Sequence, residues 1–430
     1  VAVVAVVVVF VVGTALCGWR LLAAKVDIDL PFPPLMASWL PHVGPGTVPA
    51  IAIAAAVVVR GPGLAERLTW RPLLWLSWAA GVAWTLSLAL IDGWQRGVAG
   101  RLTTGDEYLH DLPLVTGVPA MLRGFADHIL TRQVDPAQTW FWTTHVGAHP
   151  PGAFLVFVLL DRIGLSGGGP AAVLVVLIGA SAPPAIAVTV AALGHRELAR
   201  RVLPFSVLFP GAIWVGVSAD GMFAGWLAWG IALLALGATM TGPRADLASL
   251  GAGLVLGFCL YLSYGLVVAG LLPVAVLTAV TSRRLRNATL AALGVLLVVG
   301  AFIASGFWWL DGYEKVRVIY AASIASTRPY SYFVWADLAA FALAIGPAAV
   351  AALRRVPALP RACTLLVAAA VTAILLADLS GMSKAEVERI WLPFGVWTVV
   401  ACATLPHPRR WLAAQALLAL LINHLLFTTW

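Results

Sequence analysis

The sequence predicts an all-α protein that crosses a membrane many times. Three observations predict it. Of 430 residues, 61% are hydrophobic and only 11% are charged, where soluble domains carry about 25% charged residues. Apolar runs recur along the whole chain, close to the ~20 residues that span a bilayer as a helix. Short arginine-bearing turns separate those runs. The alternating ~10-residue strands of a membrane β-barrel do not occur.

The net charge of +8 is not a nucleic-acid footprint. The arginines sit in short turns, as the positive-inside rule expects, so membrane lipids are partners and nucleic acid is not. The four cysteines (Cys17, Cys259, Cys363, Cys402) lie in or beside apolar runs. They show neither CxxC spacing nor a disulfide framework. Lysine is rare beside arginine, and Ala, Val and Gly abound, a codon bias that suggests a GC-rich bacterial genome. The chain starts at Val1 without Met, so an N-terminal tail is expected to precede it.

In order, the first apolar run covers about residues 2–18, and a Pro-rich stretch, 27–49, follows. The second run is about 46–59. The turn RGPGLAERLTWR (60–71) carries three arginines and is expected inside. The third run, about 72–92, then exits, which makes the polar loop 93–148 external. Within it Met121, Phe125 and Ile129 fall at i, i+4 and i+8, so residues 119–130 read as an interfacial helix with Pro119 in its first turn. Trp140, Phe141 and Trp142 read as belt aromatics at the headgroup level, as do Tyr261 and Tyr264. Basic turns at 195–201, 244, 283–286, 354–361 and 409–410 mark the inside. Between them lie paired runs, about 203–218 and 221–240, 248–262 and 264–281, 288–307 and 331–352, 362–379 and 391–406. A last helix covers about 410–428. The external connections are then 218–221, 262–265, 308–332 and 380–389. Asp161 and Asp378 read as helix-end residues.

One conflict arises. His149 starts outside and His195 ends inside, yet two apolar runs, about 150–163 and 170–193, lie between them. The first has about 14 residues, short of the ~20 needed to span. It is therefore expected not to cross, as a re-entrant or tilted helix. The competing reading lets it cross and places 195–201 outside. The preferred count is about 13 spanning helices, grouped as 1–71 (two N-terminal helices), 72–287 (a module bearing the loop 93–148) and 288–430 (the C-terminal helices with loops 308–332 and 380–389).

Chemistry is concentrated in the loop region from Thr104 to Gly152. It holds His110, His128, His145 and His149, half of the 8 histidines, together with Asp106, Glu107, Asp111, Asp127 and Asp135. Adjacent carboxylates Asp106 and Glu107 just past a helix end suit a general base with a neighbouring ligand. Taken alone they suit a helix cap or a solvated loop better. Their company shifts the balance: His149-Pro150-Pro151-Gly152 opens the next apolar run on the same side, Asp220 lies at a turn on that side, and Lys384, Glu386, Glu388 and Arg389 form a third external cluster. His145 and His149 stand four apart, but Pro150 and Pro151 follow and no HExxH occurs. A divalent metal is an alternative there; His149 donating to a phosphate or to Glu107 is preferred.

This layout resembles that of the GT-C membrane glycosyltransferases. An early external loop with an acidic pair, an interfacial helix, then a basic residue and Pro-Pro at the next helix is shared with the branch of protein O-mannosyltransferases and the aminoarabinose transferase of lipid A. THVGAHPPGAFLVF, VSADGMF and KAEVERIWLPF look like uncharacterised actinobacterial members, and the likeness covers about residues 72–400. Two departures stand out: two apolar runs precede the loop instead of one, and His replaces a frequent Lys before Pro-Pro. The resemblance implies a multi-pass enzyme of the bacterial plasma membrane with its site on the extracytoplasmic side. It implies transfer of a sugar from a polyprenyl-phosphate donor to a cell-envelope glycan, lipid or protein, with inversion. Asp106 would be the base, Glu107 the second carboxylate, and Asp220 the residue orienting acceptor or metal. His149, Arg389 and Lys384 would meet the donor phosphate, with His145, Tyr108 and Glu388 supporting. The chemistry is consistent: inversion needs a carboxylate to take the acceptor's proton, and the leaving phosphate needs positive charge, which Arg supplies as a fork. For Arg389 an i, i+3 ion pair with Glu386 is the alternative.

Two other functions fit a membrane protein of this kind. A transporter or flippase for a lipid-linked glycan would show paired halves with broken helices at the midplane; no internal repeat is found. A non-catalytic subunit of an envelope assembly would tolerate loss of Asp106.

Overall fold

The computed structural model describes residues 2–280 and 282–429. Helices dominate it: α1 Ala2–Ala23, α2 Thr47–Arg67, α3 Trp70–Ala89, α4 Val118–Gly124, α5 Thr144–Gly147, α6 Pro151–Arg162 and α7 Gly168–Gly179. There follow α8 Ala182–Ala192, α9 Arg196–Val207, α10 Ala212–Val215, α11 Ala219–Thr239, α12 Pro243–Leu262, α13 Leu271–Ala279 and α14 Arg284–Ala304. The last third holds α15 Trp309–Ala322, α16 Ile324–Thr327, α17 Tyr330–Leu353, α18 Arg361–Ser380, α19 Val387–Ile390, α20 Leu392–Gly395 and α21 Pro408–Leu425. Two short strands, β1 Ala37–Trp39 and β2 Leu426–Thr428, pair antiparallel with Ala37 opposite Thr428.

Among the described residues nine helices are long and apolar enough to cross a membrane: 2–23, 47–67, 70–92, 168–192, 219–239, 243–262, 284–304, 330–353 and 361–380. The protein is thus built as a multi-pass membrane bundle. Four expected spans are shorter or broken. The run 203–218 splits into α9 and α10, because Pro210 has no N–H to continue the ladder. The first half of 264–281 is a 3₁₀ helix, Tyr264–Gly270, and α20 continues as 3₁₀ over Val396–Thr404. The last, α21, has 18 residues.

Small residues let the helices meet closely, the packing device that replaces the hydrophobic effect inside a bilayer. Gly253 and Gly257 lie one turn apart on α12. A Cβ at Gly253 would sit 2.0 Å from the Ala291 carbonyl, and one at Gly294 2.5 Å from the Leu250 carbonyl, so α12 and α14 touch backbone to backbone. α17 is broken at Gly346 (φ 77°), before Pro347. Gln415 repairs the break from α21: its Nε2 donates to the Ile345 carbonyl at 3.0 Å and its Oε1 accepts from Ala348 N at 3.2 Å. Non-helical backbone at membrane depth is tolerated where protein satisfies it in this way.

The bundle has two chemically different ends. At one, Arg200 donates to the carbonyls of Ala65 and Leu68 at 2.6 and 2.9 Å. There too Arg283 and Arg286 hold Asp246. The other end carries the loop after α3. The middle and the C-terminal end of α6 rest on that loop. Tyr108 packs on Phe157 of α6 with ring centroids 5.1 Å apart, and Arg162 donates to the Val115 carbonyl at 2.6 Å. Gly168, the start of α7, lies against Ala99. With 12 residues, α6 is not among the helices long enough to span, and its contacts with the loop fit the expectation that the run 150–163 stays at one face.

The loop differs from its expected form. Residues 119–130 are α4 plus a 3₁₀ turn, Ala126–His128, rather than one helix. The apolar stripe is nevertheless the buried one: Met121, Phe125 and Ile129 are inside, while Arg123 and Asp127 are exposed. Trp142 is no belt residue; it is buried and donates to the Phe125 carbonyl at 2.9 Å. Tyr261 and Tyr264 are likewise buried, Tyr261 stacked on Phe302 at 3.7 Å. The connection 308–332 is mostly helical, as α15 and α16. Asp378 stands in the last turn of α18 and is buried.

Candidate functional site

Four segments far apart in sequence converge at the loop end. The acidic pair precedes a 3₁₀ helix, Tyr108–Leu114. α5 is pinned to it twice: His145 N donates to the Asp106 carbonyl at 3.0 Å, and Thr144 Oγ1 donates to Asp106 Oδ1 at 2.8 Å. Buried Asp111 closes the loop by accepting from Thr143 N at 2.7 Å. The third segment is the first turn of α11. Ser218 caps it with a side-chain bond from Gly221 N, and Asp220 lies within that turn, where the helix dipole favours a carboxylate. The fourth is the turn before α19, with Ala385 and Glu386 in the left-handed region (φ 70° and 61°). That turn directs Arg389 inward.

Arg389 is the hub. Its guanidinium donates to Asp220 Oδ2 at 2.6 Å, to Glu386 Oε2 at 2.5 Å and to His145 Nε2 at 3.0 Å. An imidazole nitrogen that accepts from Arg is unprotonated, so His145 carries its proton on Nδ1. That nitrogen stands 3.1 Å from Glu107 Oε1. The result is a buried chain, Glu107–His145–Arg389–Asp220, with Glu386 on the Arg fork. Arg389 is 6% exposed, Glu107 6% and Asp220 4%. Burial works to lower the Arg389 pKa, but Glu386, Asp220 and Glu107 outweigh it and hold the pKa above its ordinary value. Three carboxylates face one guanidinium, so the ionised cluster is net negative.

Glu107 Oε2 and the Tyr108 hydroxyl, both in this cluster, make no hydrogen bond with the described residues. The Tyr108 ring lies 6.2 Å from that of His145 and 5.9 Å from that of His149. Burial, then Asp220 and Glu107, push its phenol pKa well up. His149 donates from Nδ1 to the His145 carbonyl at 2.8 Å, which leaves its Nε2 as a lone pair. Burial lowers its pKa to about 4 against the pull of Asp220, so it is neutral near pH 7.

These positions revise several expectations. Asp106, Glu107, Tyr108, His145, His149, Asp220 and Arg389 are brought together; Lys384 and Glu388 are not part of that chain. Lys384 Nζ turns to the carbonyls of Ser326 and Arg328, at 3.2 and 2.9 Å. Glu388 faces the N-terminal segment, its Oε1 accepting from Met36 N at 3.3 Å. Arg389, which the resemblance sets against a donor phosphate, is buried and bonded to carboxylates. His149 was expected to donate to a phosphate or to Glu107; its proton is committed to a carbonyl, and His145 is the histidine beside Glu107. Asp220 is a partner of Arg389. Glu386, assigned no site role from sequence, belongs to the site, and its i, i+3 spacing from Arg389 was the available signal. Among the described residues no group of three or more His, Cys, Asp or Glu side chains is arranged to hold a metal ion.

What the arrangement can do follows from exposure. Asp106 is exposed, bonded through one carboxylate oxygen to Thr144, and can take a proton from a hydroxyl. Glu107 Oε2 beneath it can accept a hydrogen bond. The buried chain fixes the orientation of Glu107 and His145. No protein-family model, curated protein or solved structure matches this chain, so the functional reading rests on the residues themselves.

Proposed function

We propose that the chain is an integral-membrane glycosyltransferase of the GT-C type, moving a sugar from a polyprenyl-phosphate donor to a cell-envelope acceptor with inversion. In this reading the bundle crosses the bilayer thirteen times, the nine long helices being joined by the runs 196–218, 264–279, 392–404 and 408–425. The arginine-bearing end lies inside, and the loop end faces the extracytoplasmic side of a bacterial plasma membrane.

The observation that supports it is the pairing of one exposed carboxylate with one buried, oriented carboxylate at the loop end. Asp106 is the base that takes the acceptor's proton, and Glu107 holds the acceptor hydroxyl through its remaining oxygen. Arg389 acts through His145 and Asp220 as a positioning residue. The donor phosphate then draws its charge from cations other than Arg389. α15 supplies Lys315, 4.0 Å from Asp127 in the loop, and the exposed Arg317.

The test is transfer from a polyprenyl-phosphate sugar by purified protein. Asp106→Asn should fold and bind donor normally and lose ~10²–10⁴-fold in rate, the usual contribution of a general base. A variant that keeps a third of wild-type activity removes Asp106 from the role.

A further inference from the structure

A cavity away from the acidic cluster lies between α3, α11 and the middle of the span 168–192. The span 168–192 is not one straight helix: α7 ends at Gly179 and α8 begins at Ala182. The break exposes polar groups, and two indoles cover them. Trp78 Nε1 donates to the Leu177 carbonyl at 3.0 Å, and Trp229 Nε1 donates to Ser181 Oγ at 2.9 Å. Each anchored indole has a partner one turn away, Trp75 on α3 and Trp226 on α11. Together with Ser181 and Arg71 these rings line a cavity of about 520 Å³, within the ~300–1,000 Å³ of small-molecule sites.

The geometry of the cavity is that of a lipid chain with an anionic head. Arg71, the second residue of α3, lines it on the side of the arginine-bearing end. From Arg71 to Trp78 is seven residues, ~10 Å along a helix. That carries the cavity from headgroup level towards the bilayer centre, a depth of ~15 Å in one leaflet. Arg71 is exposed and makes no side-chain ion pair with the described residues, so its charge is available at the rim. Trp75 is 68% exposed, a large flat ring offered to the hydrocarbon. The anchored indoles cannot swing in to fill the space without leaving two polar groups unpaired, so the cavity is preorganised.

We propose that this cavity binds one anionic phospholipid of the leaflet at the arginine-bearing end, its chain against the four indoles and its phosphate on Arg71. The site is separate from the acidic cluster and does not depend on the activity assigned there.

The experiment is native mass spectrometry of the full chain released from nanodiscs that contain phosphatidylglycerol and phosphatidylcholine in equal amounts. Wild type should retain one phosphatidylglycerol in preference to phosphatidylcholine. Arg71→Gln should cut that preference about fivefold, the worth of one cation near an anionic surface. Arg410→Gln, at the same end but outside the cavity, should leave it unchanged. Trp75→Ala should shorten retention of both lipids. Equal preference in wild type and Arg71→Gln, or retention insensitive to Trp75→Ala, means annular lipid only and overturns the proposal.

Discussion

Replacing Arg389 with Met tests whether the acidic cluster is held together by one charge. The guanidinium is 6% exposed and touches Asp220, Glu386 and His145. Met keeps the apolar stem about as far as Nε and removes the charged fork, which leaves Asp220 and Glu386 facing each other with Glu107 nearby. Removing one partner of a buried pair costs about 3–5 kcal/mol, because the other charge stays desolvated. The Glu386 side chain is 18% exposed and can turn to water, so the lower figure, about 3 kcal/mol, is expected near pH 8. For a chain of this length that corresponds to ~3 °C in the unfolding midpoint. Arg389→Met with Asp220→Asn should recover part of the loss at pH 8, since the orphaned charge is gone. The assay is thermal unfolding of detergent-solubilised protein, followed by size-exclusion fluorescence at pH 8. An Arg389→Met midpoint equal to wild type at pH 8 would refute the reasoning and place the guanidinium in water.

Two further outcomes are expected. In a Cys-free background, Asp106→Cys and Leu165→Cys should react with an impermeant maleimide from the same side, and Leu285→Cys from the other. Leu165 and Leu285 are 49% and 82% exposed; reaction of positions 106 and 165 from opposite sides would mean that α6 crosses. Glu388, buried at 1% with Oε2 unbonded among the described residues, has its pKa raised by burial from 4.5 to about 7. A carboxyl raised in the folded state stabilises fully below its unfolded value, and that contribution is lost as pH rises through the folded one. Wild type should therefore lose about 3 kcal/mol between pH 4.5 and 7 from this group, and Glu388→Gln should flatten that part of the profile; an unchanged slope would show that Glu388 titrates normally.

The bundle was legible in the sequence because hydrocarbon thickness fixes helix length, and because arginine turns mark one end. The run 150–163 reads as short in the sequence, and α6 is indeed only 12 residues long. Composition could not show which apolar runs break into 3₁₀ or paired short helices, since a break such as that at Gly346 stands only because Gln415 of another helix repairs it. The acidic pair, Asp220 and Arg389 were each visible as residues, but the direction of Arg389 was not. That direction depends on the left-handed turn at Ala385 and Glu386, neither of which is a glycine. The tautomers of His145 and His149 were also out of reach, because each is set by a bond to a residue or carbonyl placed by folding. A second charged knot was missed entirely: Asp92, buried, stands 2.9 Å from His42 and 3.3 Å from both Arg96 and Arg101. Its members look like ordinary loop charges until β1 and β2 bring the two halves together.

The pairing of β1 with β2 has a consequence for how the protein is made. β1 precedes all but the first long helix, and β2 follows the last. Arg101 donates to the Thr428 carbonyl at 2.6 Å, and the Leu40 and His42 amides donate to the carbonyls of Leu425 and His424. The segment that carries β1 therefore leaves the ribosome and waits, its backbone unpaired, while every other helix inserts. Joining residues so distant along the chain is slow on entropic grounds. These bonds form only when the final strand arrives, so a polypeptide arrested before α21 would carry all the site residues and yet leave Arg101 and the β1 segment without their last partners.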